Sequence, residues 1–102
     1  MSIMSPLAAA QRRFLKARAH HLDPVIRIGQ AGLTPAVLRE LERNLKHHEL
    51  VKVKAAGIGQ TDRTALLEDL GARLDAAPVQ IIGAILVLYR AAKDARLILP
   101  NH

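Results

Sequence analysis

The chain has no cysteine and no tryptophan, and Phe14 and Tyr89 are its only Phe, Tyr or Trp residues. Without thiols there is neither a disulfide framework nor a thiolate metal site, which fits a reducing cytoplasm as the expected location. Two aromatic rings are too few for a surface that reads unpaired bases by stacking alone. Long apolar runs are missing too: nowhere do the roughly 18 uncharged apolar residues of a membrane span follow one another. The opening "MSIMSPLAAAQRRF" carries its arginines after its short apolar stretch, the reverse of a secretory signal, so no membrane partner is expected. Catalytic groupings are also lacking. Ser2 and Ser5 lie at the start of the chain, and no carboxylate pair or Ser–His arrangement can be assembled. The expectation is a protein that is not an enzyme, with no cofactor and no small-molecule substrate.

What is present is half apolar, enough for one modest core, so residues 1–102 read as one domain with its core at about 5–100. Fifteen Lys and Arg stand against nine Asp and Glu, a net charge of +6. Residues 1–54 hold ten of the basic and four of the acidic side chains, and residues 55–102 hold five of each. An excess confined to one half points to a polyanionic partner.

Ser5-Pro6 has the form of a helix start, and a helical pattern runs from there to about His21. Leu7, Phe14, Leu15, Ala19 and Leu22 form its apolar side, and Arg12, Arg13, Lys16 and His20 its basic side. Pro24 breaks it. Val25–Ile28 is a short β-branched strand bearing Arg27. Thr34 and Pro35 then open a second helix, with Val37, Leu38, Leu41 and Leu45 on one face and Arg39, Arg43 and Lys46 on the other. "ELVKVKA" alternates, placing Val51 and Val53 on one face and Lys52 and Lys54 on the other. A third helix from Thr61 buries Leu66, Leu67, Leu70 and Leu74 and is acidic outside. Within it Gly71 is expected to cost about 1 kcal/mol relative to alanine. "APVQIIGAILVLYR" reads as two strands joined at Gly83-Ala84 by a type II′ turn, covered on both faces. "RLILPN" is expected to add a short edge strand or to hang loose. The order αβαβαββ predicts an α/β sandwich with a mixed four-stranded sheet, the first helix covering the second face.

The junction "RIGQAGLTPAV" carries the main candidate site. Gly29, Gln30, Ala31 and Gly32 follow a strand and precede a helix, so free N–H groups and the positive end of the helix dipole meet where glycine allows close approach by phosphate. A plain turn is the other reading. The spacing matches neither a dinucleotide fingerprint nor a P-loop. The pairs His20-His21 and His47-His48 cannot chelate as histidines four apart can, because helix neighbours point about 100° apart, so no metal site is expected. They suit helix ends, facing carbonyls.

With these residues identified, the chain resembles the CRM family, the chloroplast RNA splicing and ribosome maturation domain, in its bacterial stand-alone YhbY form. The likeness runs from about Phe14 to Pro100. It is densest in "GQAGLTPAVLRELERNLKHHELVKVK" and "VQIIGAILVLYR", which are similar to the family signatures G-x-x-G-L-T, H-E-L-[IV]-K-V-K and I-G-x-x-L-V-L-Y-R. The resemblance implies an αβαβαββ fold like the C-terminal domain of translation initiation factor three. It implies RNA as partner, namely rRNA of precursor large ribosomal subunits for bacterial members, with plant relatives acting in organellar intron splicing. Residue by residue it places the RNA-facing loop at Gly29, Gln30, Ala31 and Gly32, flanked by the basic residues Arg12, Arg13, Lys16, Arg27, Arg39, Arg43, Lys46, Lys52 and Lys54. Gln30-Ala31 stands where relatives often have lysine or asparagine, and Ala84 where they often have lysine, so backbone donors and other cations have to carry more of the binding. Two other classes of function compete: a module docking its basic face on an acidic protein, and a basic amphipathic protein held at a membrane surface.

Overall fold

The structure is a computed structural model that describes residues 7–29 and 31–100. Its elements run α1 (Ala9–Ala19), β1 (Pro24–Ile28), α2 (Pro35–His48), β2 (Leu50–Ala55), α3 (Gln60–Leu74), β3 (Ala77–Ile82) and β4 (Ile85–Tyr89). This is the expected αβαβαββ order. The predicted start at Ser5-Pro6 lies outside the described residues. Among those described, α1 begins at Ala9, where Gln11 Oε1 accepts the Ala8 N–H at 2.9 Å. The second helix starts as its sequence dictates: Thr34 Oγ1 accepts the Val37 N–H at 3.2 Å and Pro35 takes the first helical position.

The four strands form one sheet in the order β1-β2-β4-β3. β1 and β2 pair parallel, as a strand-helix-strand unit requires, whereas β4 lies antiparallel between β2 and β3. Alternation then sorts side chains into two layers. Leu41 and Leu45 of α2 and Leu67, Leu70 and Leu74 of α3 pack with Ile28, Val51, Val53, Leu86 and Leu88 on one face. On the other, Leu15 and Ala19 of α1 pack with Leu50, Val79, Val87 and Tyr89. Each fully buried leucine contributes about 1.5–3 kcal/mol by removal of apolar surface from water. The β3-β4 turn has a left-handed φ of +56° at Gly83, the one position where a type II′ turn needs it.

Three features of the third helix depart from the sequence reading. The third helix starts at Gln60 with Gly59 as its cap, two residues before the expected Thr61 cap. Its Leu66 is half-buried, whereas Leu67, Leu70 and Leu74 are buried. Gly71 does not weaken the fold: a Cβ there would lie 2.8 Å from the Ala76 carbonyl oxygen and 3.2 Å from Pro78 Cγ, so its absence lets α3 close on the turn into β3. Gly71→Ala is therefore expected to lower stability by about 1–3 kcal/mol, as overpacking does, and not to raise it as in an open helix. Urea denaturation reads the sign directly.

The tail forms no strand and does not hang loose. Glu49, 1% exposed, accepts N–H bonds from Ala92 (3.1 Å), Arg96 (2.7 Å) and Leu97 (3.1 Å) on its carboxylate. Leu97 and Leu99 then pack under α1, and Gln11 Nε2 donates to the Pro100 carbonyl at 3.0 Å. Burial pushes the Glu49 carboxyl up, but the three backbone donors and the Arg96 charge outweigh it and leave the group below its ordinary value. Glu49 ends α2 at φ +64°, a conformation side chains rarely adopt, held by these bonds and by its own N–H to the Leu45 carbonyl at 3.0 Å. Nearby, Arg90 donates to both oxygens of Glu42 at 2.9 and 2.7 Å and to the Leu74 carbonyl at 2.9 Å, joining β4 to the second and third helices.

Candidate nucleic-acid interface

β1 is an edge strand, and alternation decides what it shows. Ile26 and Ile28 enter the α2/α3 layer, so Arg27 faces the side of α1. On β2, Val51, Val53 and Ala55 likewise enter that layer and leave Leu50, Lys52 and Lys54 on the side of α1. The parallel register sets Arg27 beside Lys54 and Pro24 beside Lys52. α1 sits over Leu50, Val79, Val87 and Tyr89, toward the other end of the face, so Arg27 and Lys54 remain exposed and Lys52 half-buried. The result is a cationic strip. No carboxylate pairs with any of its three members among the described residues. The Lys52 ammonium donates one proton to the Leu22 carbonyl at 3.0 Å, which leaves its others outward.

The glycine loop continues from the end of β1. Gly32 has φ +72°, and its N–H donates to the Gly29 carbonyl at 3.0 Å, closing a tight turn. The Thr34 N–H in turn donates to Gly32 O at 3.1 Å. For Gly32 the plain turn is thus sufficient: the left-handed backbone needs glycine, and its donor is engaged internally. Gly29 differs. Its φ is not left-handed and a Cβ there would meet nothing within 4 Å, so it keeps the surface beside Arg27 low without any local demand for glycine. Ala31 is exposed, and Gln30 lies outside the described residues.

Two more turns share this end of the sheet, because β2 ends where β4 begins: Lys54 pairs with Ile85, and the Ala55 N–H donates to the Ala84 carbonyl at 2.7 Å. Arg63 ties them together, its Nε donating to Ile58 O at 2.7 Å and its Nη1 to Gly83 O at 2.9 Å. The sequence pattern gave no signal for Arg63, since both acceptors are backbone atoms on separate loops.

The remaining candidates divide. Arg12 is structural: its Nη1 donates to the carbonyls of Pro78 and Val79 at 2.8 and 3.0 Å and pins α1 to β3. Arg13 is exposed and Lys16 half-buried. Arg39, Arg43 and Lys46 are exposed on α2, which covers the sheet face opposite α1, so they do not share a surface with the strip. Arg43 lies 3.6 Å from Glu40 and Lys46 3.9 Å from Glu42, loose surface pairs that reduce their pull on an anion. The histidines of both pairs are exposed, and the rings of His47 and His48 are tilted by 60° with centroids 6.4 Å apart.

A family model of the CRS1 / YhbY (CRM) domain matches residues 7–90. A Haemophilus influenzae protein named "RNA-binding protein" is 46% identical over 98 residues, covering 96% of this chain and 99% of the relative. A Pseudomonas aeruginosa protein named "Probable RNA-binding protein" is 45% identical over 84 residues, 82% of this chain and 81% of the relative. The solution structure of a Staphylococcus aureus protein superposes with a TM-score of 0.82 at 32% identity, covering 92% of this chain and 99% of that one.

Proposed function

Since this chain belongs to the CRS1 / YhbY (CRM) domain family, we propose that it is a non-catalytic RNA-binding protein, whose ligand is rRNA of precursor large ribosomal subunits. The observation that carries the reading is the strip of Arg27, Lys52 and Lys54 leading to the open surface at Gly29. Lys52 and Lys54, two residues apart on one strand, stand about 6.7 Å from each other. Their ammonium groups and the Arg27 guanidinium meet successive phosphates of one backbone, releasing condensed counterions. The engaged N–H of Gly32 moves the weight of binding from loop donors to these side chains. Arg39, Arg43 and Lys46 reach a second segment of a folded RNA that wraps the β1 edge. Contacts of this kind read shape and charge, which suits a structured RNA.

Crosslinking in cells followed by sequencing of the attached RNA tests the ligand. Fragments of large-subunit rRNA are expected, with association to assembling particles lost on nuclease treatment. Association that survives nuclease would instead favour docking on an acidic protein.

A further inference from the structure

Next to the cationic strip lies a cavity of about 240 Å³. Leu22, Val25 and Leu97 wall it, and Arg18, Asp23 and His48 stand among its lining residues. Leu22 and Val25 are 38% and 37% exposed, two of the few large apolar side chains left open to water among the described residues. The strip and the cavity are joined: Lys52 of the strip bonds to the carbonyl of Leu22. We propose that this cavity receives one unpaired nucleobase of the RNA whose phosphates lie on Arg27, Lys52 and Lys54, an inference that rests on the RNA-binding reading above.

Three observations select a base as the occupant. Its volume is below the roughly 300–1,000 Å³ of pockets for drug-sized ligands, which suits a single ring system. Apolar walls cannot solvate a phosphate and the Asp23 carboxylate repels one, yet Asp23 accepts an N–H from a base edge while Arg18 and His48 offer donors to ring nitrogens and carbonyls. The chain's benzenoid rings are poorly placed for stacking: Tyr89 is 3% exposed, and half-buried Phe14 packs in the α1 layer with the Arg18 guanidinium 5.8 Å from its centroid, which leaves the exposed His48 as the one ring in the lining. The aliphatic cavity takes the role that aromatic platforms take elsewhere. Its Leu97 wall is set before any ligand arrives, because the Leu97 N–H is fixed on the buried Glu49 carboxylate at 3.1 Å.

The test compares octaadenylate and octauridylate with inorganic polyphosphate of matched charge, which has phosphates but no bases. Amide spectra of the intact protein should shift at Val25 and Leu97 with at least one oligonucleotide, whereas polyphosphate should move the strip and Leu22, whose carbonyl Lys52 holds, and leave Leu97 in place. Leu22→Ser with Val25→Ser, which leaves the charge unchanged, should weaken that oligonucleotide about fivefold or more and leave polyphosphate binding unaltered. Val25→Ser alone gives the same reading if the double variant melts too low. Oligonucleotides that bind without shifting the cavity, or equal losses for both probes, would overturn the base pocket while leaving RNA binding in place. Absence of binding by both oligonucleotides while polyphosphate still binds would overturn the base pocket alone, and absence of binding by all three probes would overturn the cationic strip as well.

Discussion

Replacing Glu49 with glutamine is expected to lower the unfolding free energy by about 3 kcal/mol. The carboxylate answers three N–H groups, two on Oε1 and one on Oε2, and glutamine must turn a donor toward at least one of them. It also leaves a neutral acceptor where a charged one stood, at a residue whose backbone is already strained. The loss should depend on pH in a defined sense. The Glu49 carboxyl is held below its ordinary value of 4.5, and so is that of Glu42, where the bidentate bond to Arg90 outweighs burial. Groups lowered in the folded state contribute stability that is complete above the unfolded value and disappears as pH falls through the folded one. The gap between wild type and Glu49→Gln should therefore be full near about pH 7 and narrow toward about pH 3, as measured by urea titration. A constant gap would mean that the carboxylate charge contributes nothing.

The second large effect is on binding. Arg27→Glu combined with Lys54→Glu should weaken RNA affinity tenfold or more, on the order of 1.4 kcal/mol, without unfolding the protein. Both side chains are exposed and face each other across the β1-β2 pair, so reversing both replaces one like-charged neighbour pair by another and leaves cross-strand energetics nearly unchanged. Reversal at Glu68 and Asp69, exposed on α3 beneath the opposite sheet face, should leave affinity unweakened. Filter binding with melting curves on the same samples separates the two cases.

How much of this was legible depended on whether the cause was local. Thr34-Pro35 fixed the start of α2 because the cap bond spans three residues, and Gly83 located the hairpin because only one backbone position there needs a left-handed φ. Alternation in "ELVKVKA" separated Val51 and Val53 from Lys52 and Lys54, two of the three members of the strip. The third needed the register: nothing in the sequence says that Arg27 lies beside Lys54. Arg12 and Lys16 look alike on a helical wheel, yet Arg12 is held by carbonyls more than sixty residues away. Gly71 failed the local rule for the same reason, since what forbids a Cβ is the next element and not the helix itself. Glu49 and Arg90 stand inside the quoted family signatures, but their partners, the tail and Glu42, become visible only in three dimensions.

The most direct measurement is the affinity for a large-subunit rRNA fragment over a range of salt, for wild type and for Arg27→Glu/Lys54→Glu. If roughly four phosphates are neutralised, log affinity should fall against log salt with a slope near −3 for single strands and somewhat steeper for duplex. The variant should bind more weakly with a slope flatter by about 1.5. Wild-type affinity that does not change with salt, or a folded variant with the wild-type slope, would contradict the assignment of the strip as the surface that holds RNA.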